Sequence, residues 1–175
     1  MLSATLRRQV TFRPLARLFS AEANLVTHNI ALPPAPGPKA NYMPYKRVGN
    51  TLYLSGHLPM LDNGDLLTGT VGGAGNLTTE EGANVARQCG LNLLASIKDA
   101  AGSLDNVEGV TKLFGLVQSD KSFKEQHLVL NGCSDLMCQV FGPDVGLHAR
   151  SAVGVNTLPL DMAVEIEAIV QLKPM

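Results

Sequence analysis

Two glutamates and an arginine interrupt the most sheet-like part of this chain. The stretch from His148 to Val170, HARSAVGVNTLPLDMAVEIEAIV, reads as two strands joined by a Pro-containing turn, a hairpin by its spacing. Successive side chains of a strand point to opposite faces. On the first strand, Arg150, Ala152 and Gly154 form one row, and Ser151, Val153 and Val155 the other. On the second, Val164, Ile166, Ala168 and Val170 form an apolar row, and Glu165, Glu167 and Ile169 the opposite one. A register that puts the polar rows on one side gives Arg150 a face in common with both glutamates, with Ala152 and Gly154 leaving space beside it. A guanidinium over small residues suits a carboxylate, because its planar fork donates two parallel hydrogen bonds. An ordinary cross-strand or intersubunit ion pair uses the same residues and stands as the other reading.

Other chemistry-bearing residues say less. Cys89, Cys133 and Cys138 form no CxxC and have no histidine at ligand spacing, so no metal site is expected. All three fall in helical patterns, where a cysteine behaves as a small buried hydrophobe. His57 reads as a loop histidine after a strand, its alternative being a proton donor at a pocket rim. His148, next to Arg150, reads as a rim or interface residue. Gly72-Gly73-Ala74-Gly75 lacks the Lys-Ser/Thr of a phosphate loop and reads as a flexible segment.

The elements that must position these residues follow from pattern. Residues 20–39 are a leader ending in Pro33-Pro34-Ala35-Pro36-Gly37-Pro38, expected to be extended rather than an element. Tyr45–Val48 and Thr51–Ser55 flank Gly49-Asn50 and predict a hairpin. Residues 56–77 are Gly-rich and irregular, with one short strand near Thr70. Thr78-Thr79-Glu80-Glu81 matches a capping box opening a helix from Thr79 to about Ala101, with Val85, Cys89, Leu93, Ile97 and Ala100 on its apolar side and Gly102 as its stop. Val110–Gln118 is the next strand. A second helix is expected from Ser122 to Phe141, with Leu128, Cys133, Leu136 and Val140 inward, ended by Gly142-Pro143. The order β-β-α-β-α-β-β predicts an α+β fold, a mixed sheet with two helices on one face. No helix is left for the other face, so oligomerisation is the natural cover.

Composition narrows the classes. The chain has 175 residues, 45% apolar and 17% charged, which suits one globular domain. No apolar run approaches the ~20 residues of a membrane span. Four of the 14 basic residues (Arg7, Arg8, Arg13 and Arg17) precede Glu22, and none of the 15 acids does. That acid-free, Arg-rich, Ser/Thr-containing start reads as a mitochondrial transit peptide over residues 1–19, cut before Ser20, which implies the mitochondrial matrix. Without it the balance is 10 basic to 15 acidic residues, net −5. With no tryptophan and few aromatics besides, a nucleic-acid surface is not expected.

The segments GNTLYLSGHLP and ARSAVGVNTLP…VEIEAIV, in this order and spacing, resemble the YjgF-type Rid proteins, the reactive enamine/imine deaminases also known as L-PSP endoribonucleases. The resemblance spans roughly Ala40 to Lys173, and residues 40–175 are read as one domain. It implies a chorismate-mutase-like homotrimer whose sheets face inward, with sites in the clefts between subunits and no cofactor. It also implies a 2-imino acid substrate, hydrolysed to a 2-oxo acid and ammonia. By position, Arg150 matches the arginine that holds the substrate carboxylate. Glu165 matches a glutamate near the reacting carbon and its water. Ser55 and Gly56 match a pocket Ser-Gly, Tyr42 a pocket tyrosine with Tyr45 as the competing candidate, and Asn131 a helical asparagine that touches the site. The departures are Ala40-Asn41-Tyr42-Met43-Pro44 around the tyrosine, His57 for a common glutamine, and Ala152 two residues after the arginine. They mark a divergent subgroup. The alternatives to imine hydrolysis are an endoribonuclease on single-stranded RNA and a non-catalytic trimer that binds a small carboxylate.

Overall fold

The computed structural model describes residues 20–38 and 41–174. The Arg-rich segment and its expected processing site before Ser20 therefore lie mainly outside the described residues. The predicted first hairpin forms: β1 (Tyr45–Val48) pairs with β2 (Thr51–His57) about Gly49, whose φ of 59° a side chain would strain. The long helix α2 (Thr79–Ala101) carries its capping box: Thr78 Oγ1 accepts from the Glu81 N–H at 3.2 Å, and the Glu81 carboxylate accepts from the Thr78 N–H at 2.7 Å. Gly102, left-handed at φ 76°, ends it.

Strand β3 (Val107–Gln118) leads to α3 (Gln126–Val129), α4 (Asn131–Phe141) and the short α5 (Pro143–Gly146), then to β4 (Ala149–Val155) and β5 (Val164–Leu172). The sheet order is β1-β2-β5-β3-β4. Only β4 runs parallel to its neighbour, so the sheet is mixed, as expected. Leu52, Leu54, Leu113, Val117, Val164, Ile166 and Val170 are buried against Val85, Cys89, Leu93 and Ile97 of α2 and Cys133, Leu136 and Val140 of α4. Each fully buried leucine or valine here stabilises the fold by ~2 kcal/mol.

Three expectations need correction. The last two strands are not a hairpin. β5 lies between β2 and β3, while β4 pairs with the far edge of β3, so the connection 156–163 crosses over β3. Buried Gln118 fixes that crossing: its Oε1 accepts the Leu158 N–H at 2.7 Å, and its Nε2 donates to the Asp161 carboxylate at 2.5 Å and the Gly69 carbonyl at 3.2 Å. A two-residue hairpin turn has no need of such a clamp.

The second helix is broken and starts late. Asp120 accepts the backbone N–H and hydroxyl of Ser122 in a turn, helix begins only at Gln126, and Leu130 interrupts it. The break changes the helical phase, so Val129 and Leu130 are buried while Leu128 is 40% exposed. Beyond it, Gly132 lets α4 press onto α2, since a Cβ there would fall 1.8 Å from the Ala83 carbonyl oxygen.

The leader is not wholly extended. Ser20 caps a helix, α1 (Ala21–Thr27), which packs on α4. Glu22 accepts from Lys98 Nζ at 2.7 Å and from the Leu104 N–H at 3.0 Å, and Asn24 donates to the Val140 carbonyl at 2.8 Å. Only the Pro-rich end beyond Ile30 is extended. The apolar spacing of Ala21 and Leu25, both buried, carries the helical signal that the prolines obscured.

Candidate functional site

The end of β2 is irregular where the Ser-Gly sits. Leu54 pairs with Ala168 and His57 with Ile166, leaving Ser55 and Gly56 in a bulge. The Ser55 N–H donates to the Pro44 carbonyl at 3.0 Å and its hydroxyl donates to the Met43 carbonyl at 2.8 Å. These bonds hold the segment carrying Tyr42 against the bulge. Tyr42 is exposed and lines an apolar cavity of about 200 Å³ that Gly56 and His57 also line. Tyr45 is committed elsewhere, its hydroxyl donating to Asp99 Oδ2 at 2.7 Å.

Glu165 lies against Gly56. A Cβ on Gly56 would fall 1.8 Å from Glu165 Oε1, so only glycine leaves room for the carboxylate there. Half-buried Glu165 has its pKa raised above the usual 4.5, first by burial and then by the neighbouring Glu167 charge. A carboxyl poised in this way can exchange a proton with a water beside the bulge.

His57 is neither a loop histidine nor free to donate. It is the last residue of β2 and is buried, with Nδ1 2.7 Å from the Ser55 carbonyl and Nε2 2.7 Å from Ser96 Oγ. A carbonyl only accepts, so Nδ1 carries the proton and Nε2 accepts from the Ser96 hydroxyl. The ring thus pins the bulge to α2. Burial lowers its pKa from 6.5 against the opposing pull of the Ser55 carbonyl. The folded state then binds fewer protons than the unfolded chain below pH 6.5, and stability is lost as pH falls from there through the folded pKa. Replacing His57 by asparagine is expected to cost roughly 2 kcal/mol near neutral pH. Part of the acid slope should vanish with it, as urea unfolding from neutral pH to about pH 5 will read.

Arg150 stands in a second cluster. Its Nη1 donates to Ser134 Oγ and its Nη2 to the His127 carbonyl, both at 3.0 Å. Ser134 Oγ lies 3.0 Å from His148 Nε2, and His148 Nδ1 lies 2.6 Å from the Gly146 carbonyl. The chain has one direction. His148 donates from Nδ1 to the carbonyl, Ser134 donates to Nε2, and Arg150 donates to Ser134. It aims an exposed guanidinium along the helix side of the sheet edge. Asn131 opens α4 one turn before Ser134, on the same side of the molecule. Cys133, buried beside this cluster, has its thiol pushed up to about 12 by burial, with Arg150 opposing, and is unreactive.

Arg150 does not share a face with the glutamates. Leu113 of β3 is the register partner of both Arg150 and Ala168, which places Arg150 in the helix-facing row. Glu165 pairs with Leu116 and Glu167 with Phe114, in the opposite row. The expected common face depended on register, and the registers of β4 and β5 on β3 put the two polar rows on opposite sides. From β2 to β4 is three strand spacings, roughly 14 Å. One copy of the chain therefore gathers Tyr42, Ser55, Gly56 and Glu165 around the bulge and keeps Arg150 apart from them, with Asn131 at the start of α4.

The sequence reading missed Ser134, the cavity wall contributed by Pro33, Pro34 and Pro36, and Asn92 on its floor. No spacing announces Ser134, because its pairing with Arg150 depends on how α4 packs. The four prolines after Leu32 did signal a stiff apolar strand, but not its target. Among the described residues no group of three or more His, Cys, Asp or Glu is placed to hold a metal ion, and no helix is long and apolar enough to cross a membrane.

The mixed sheet and its helical layer agree with comparison to known proteins. The profile of "YjgF/chorismate_mutase-like, putative endoribonuclease" matches residues 22–172, and the chain belongs to this family. Protein TCP17 of Trypanosoma cruzi is 47% identical over 86% of this chain and 92% of its own. A 2-iminobutanoate/2-iminopropanoate deaminase of Dermatophagoides farinae is 28% identical over 82% of this chain and 95% of its own. Among solved structures, Atu1372 of Agrobacterium tumefaciens, a protein of unknown function, superposes with a TM-score of 0.78 at 39% identity, covering 89% of this chain and 96% of that one.

Proposed function

We propose that this protein hydrolyses 2-imino acids to 2-oxo acids and ammonia at a site completed by a second copy of the chain. The observation that carries the reading is the Glu165 carboxyl held against Gly56 at the bulge, with its pKa raised. The deaminase relative from Dermatophagoides farinae supports it. Arg150 of a second copy anchors the substrate carboxylate through its fork. Glu165 takes a proton from water as the water oxygen bonds to C2 of the C=N group. The carboxyl passes that proton to the nitrogen, giving a carbinolamine. The new hydroxyl then loses its proton through Glu165 to the nitrogen as C2=O forms and C2–N breaks, so nitrogen leaves as ammonia with no net oxidation. Holding the imine and water together supplies much of the rate.

The sheet face away from the helices supports assembly as a homotrimer. It leaves Tyr53 47% and Val153 39% exposed, with Phe114, Leu116 and Ile169 half-buried around them. These apolar side chains, with Lys112, Glu165 and Glu167 in the same rows, suit an interface that buries apolar area and pairs charges.

The test is direct. A serine dehydratase generates 2-aminoacrylate, and loss of the imine is followed with and without the purified protein. Acceleration well above buffer is expected, and none would defeat the reading. The same preparation is expected not to cleave single-stranded RNA, because the domain is acidic, although the family carries an endoribonuclease designation. Cleavage abolished by a site substitution would favour that activity instead.

A further inference from the structure

We propose that the apolar cavity at the end of β2 is a side-chain pocket, and that the leader, by walling it, selects 2-imino acids with branched aliphatic or phenyl side chains. This rests on the hydrolytic reading above and names its substrate class.

The leader's position is fixed at both ends. Helix α1 is tied to the core by the Glu22–Lys98 ion pair and the Asn24–Val140 hydrogen bond, and Ile30 and Leu32 pack against the core. Downstream, Ser55 holds Met43 and Pro44 at the bulge. Between these anchors, Pro33, Pro34 and Pro36 line the cavity. Proline has a fixed φ and no N–H, so this wall is stiff and offers no backbone donor at those positions.

The opposite wall is mainly apolar, with Asp62 beside Leu61. Leu58, Met60 and Leu61 come from the loop after β2. Asn92, buried in α2, shapes that loop by donating from its amide to the Leu58 carbonyl at 2.8 Å and the Met60 carbonyl at 3.0 Å.

Size and placement then point to the ligand. The cavity volume is about 200 Å³. An apolar protein cavity of about 150 Å³ takes benzene. A methyl side chain would leave most of this space unfilled. Gly56 borders both the cavity and Glu165, so a substrate whose C2 sits by Glu165 has its side chain directed past Gly56. Imines of this class arise by two-electron oxidation of an amino acid, in which the Cα–N bond becomes C=N and the electrons pass to a flavin and then to O2.

The experiment separates this proposal from the hydrolytic one. Calorimetry on the full chain compares 4-methyl-2-oxopentanoate with 2-oxopropanoate as non-reacting probes. The branched acid is expected to bind about tenfold tighter or more, as burying its extra methylene groups implies. Gly37 also lines the cavity, and a Cβ there meets nothing within 4 Å, so Gly37→Phe adds a phenyl ring at the cavity wall without a built-in clash. It should abolish the preference by weakening 4-methyl-2-oxopentanoate binding far more than 2-oxopropanoate binding. A second variant, Pro33→Gly with Pro36→Gly, loosens the wall and should shrink the preference. In parallel, an amino acid oxidase generates imines from leucine and alanine for turnover. Equal affinity in the wild type, or a preference that survives Gly37→Phe, overturns the pocket. Preferential binding without turnover supports the pocket and defeats the hydrolytic reading. Turnover of both imines at equal kcat/KM does the reverse.

Discussion

Arg150→Ala is expected to lower kcat/KM for a 2-imino acid by about 10³-fold while the protein stays folded. A two-pronged, charge-assisted bond to the substrate carboxylate accounts for about 4 kcal/mol of transition-state stabilisation, which is that factor in rate. Arg150 is exposed, and the substitution removes only its bonds to Ser134 Oγ and the His127 carbonyl. The expected stability loss is therefore about 1 kcal/mol, visible as a small shift in Tm. Lysine restores the charge but not the fork, so Arg150→Lys should recover only part of the loss. Full turnover by Arg150→Ala at normal Tm would remove the arginine from the site.

The same variant tests where the site is. Arg150 and Glu165 lie on opposite faces and are separated by β3, so they act together only across two copies. Mixing Arg150→Ala with Glu165→Gln, each strongly impaired alone, should then raise activity well above that of either variant. Random exchange of subunits places an intact arginine against an intact glutamate in about a quarter of the sites. No recovery after unfolding and refolding the mixture would mean that the two residues do not share a site.

Glu165→Gln itself is expected to lower kcat/KM by about 10²-fold or more, the usual contribution of a positioned acid or base. Its pH signature is specific. Burial and Glu167 raise the Glu165 pKa, so the acid limb of the wild-type profile should lie above the usual carboxylate range, with activity rising as the group ionises. Glu167→Gln removes the like charge and should move that limb to lower pH with little change in the plateau. Stability follows the opposite sense to that of His57. Folded Glu165 keeps its proton to higher pH than an unfolded glutamate, so its contribution is present below pH 4.5 and is lost as pH rises through the folded pKa. A limb unmoved by Glu167→Gln would show that another group controls the profile.

Much of this molecule was legible in order along the chain. The capping box at Thr78, the stop at Gly102, the Gly49-Asn50 turn and the alternation of the last two strands are local patterns. They depend on backbone sterics and nearest-neighbour hydrogen bonds, so they survive into the fold unchanged. The leader helix was obscured because the prolines after it dominate the composition, although Ala21 and Leu25 already carried helical spacing. The candidate residues could likewise be picked by type and motif. What the chain alone left open was which of them meet. The registers of β4 and β5 on the intervening β3 set one polar row against the other, and no pattern within either strand encodes that choice. It arises from long-range pairing, clamped by Gln118. The opening arginine and glutamates thus stand on opposite faces of one sheet. The carboxylate has its place because Gly56 has no side chain, and the guanidinium its direction because α4 brings Ser134 alongside. Those contacts belong to the packed structure, where residues distant in sequence come within a hydrogen bond of each other.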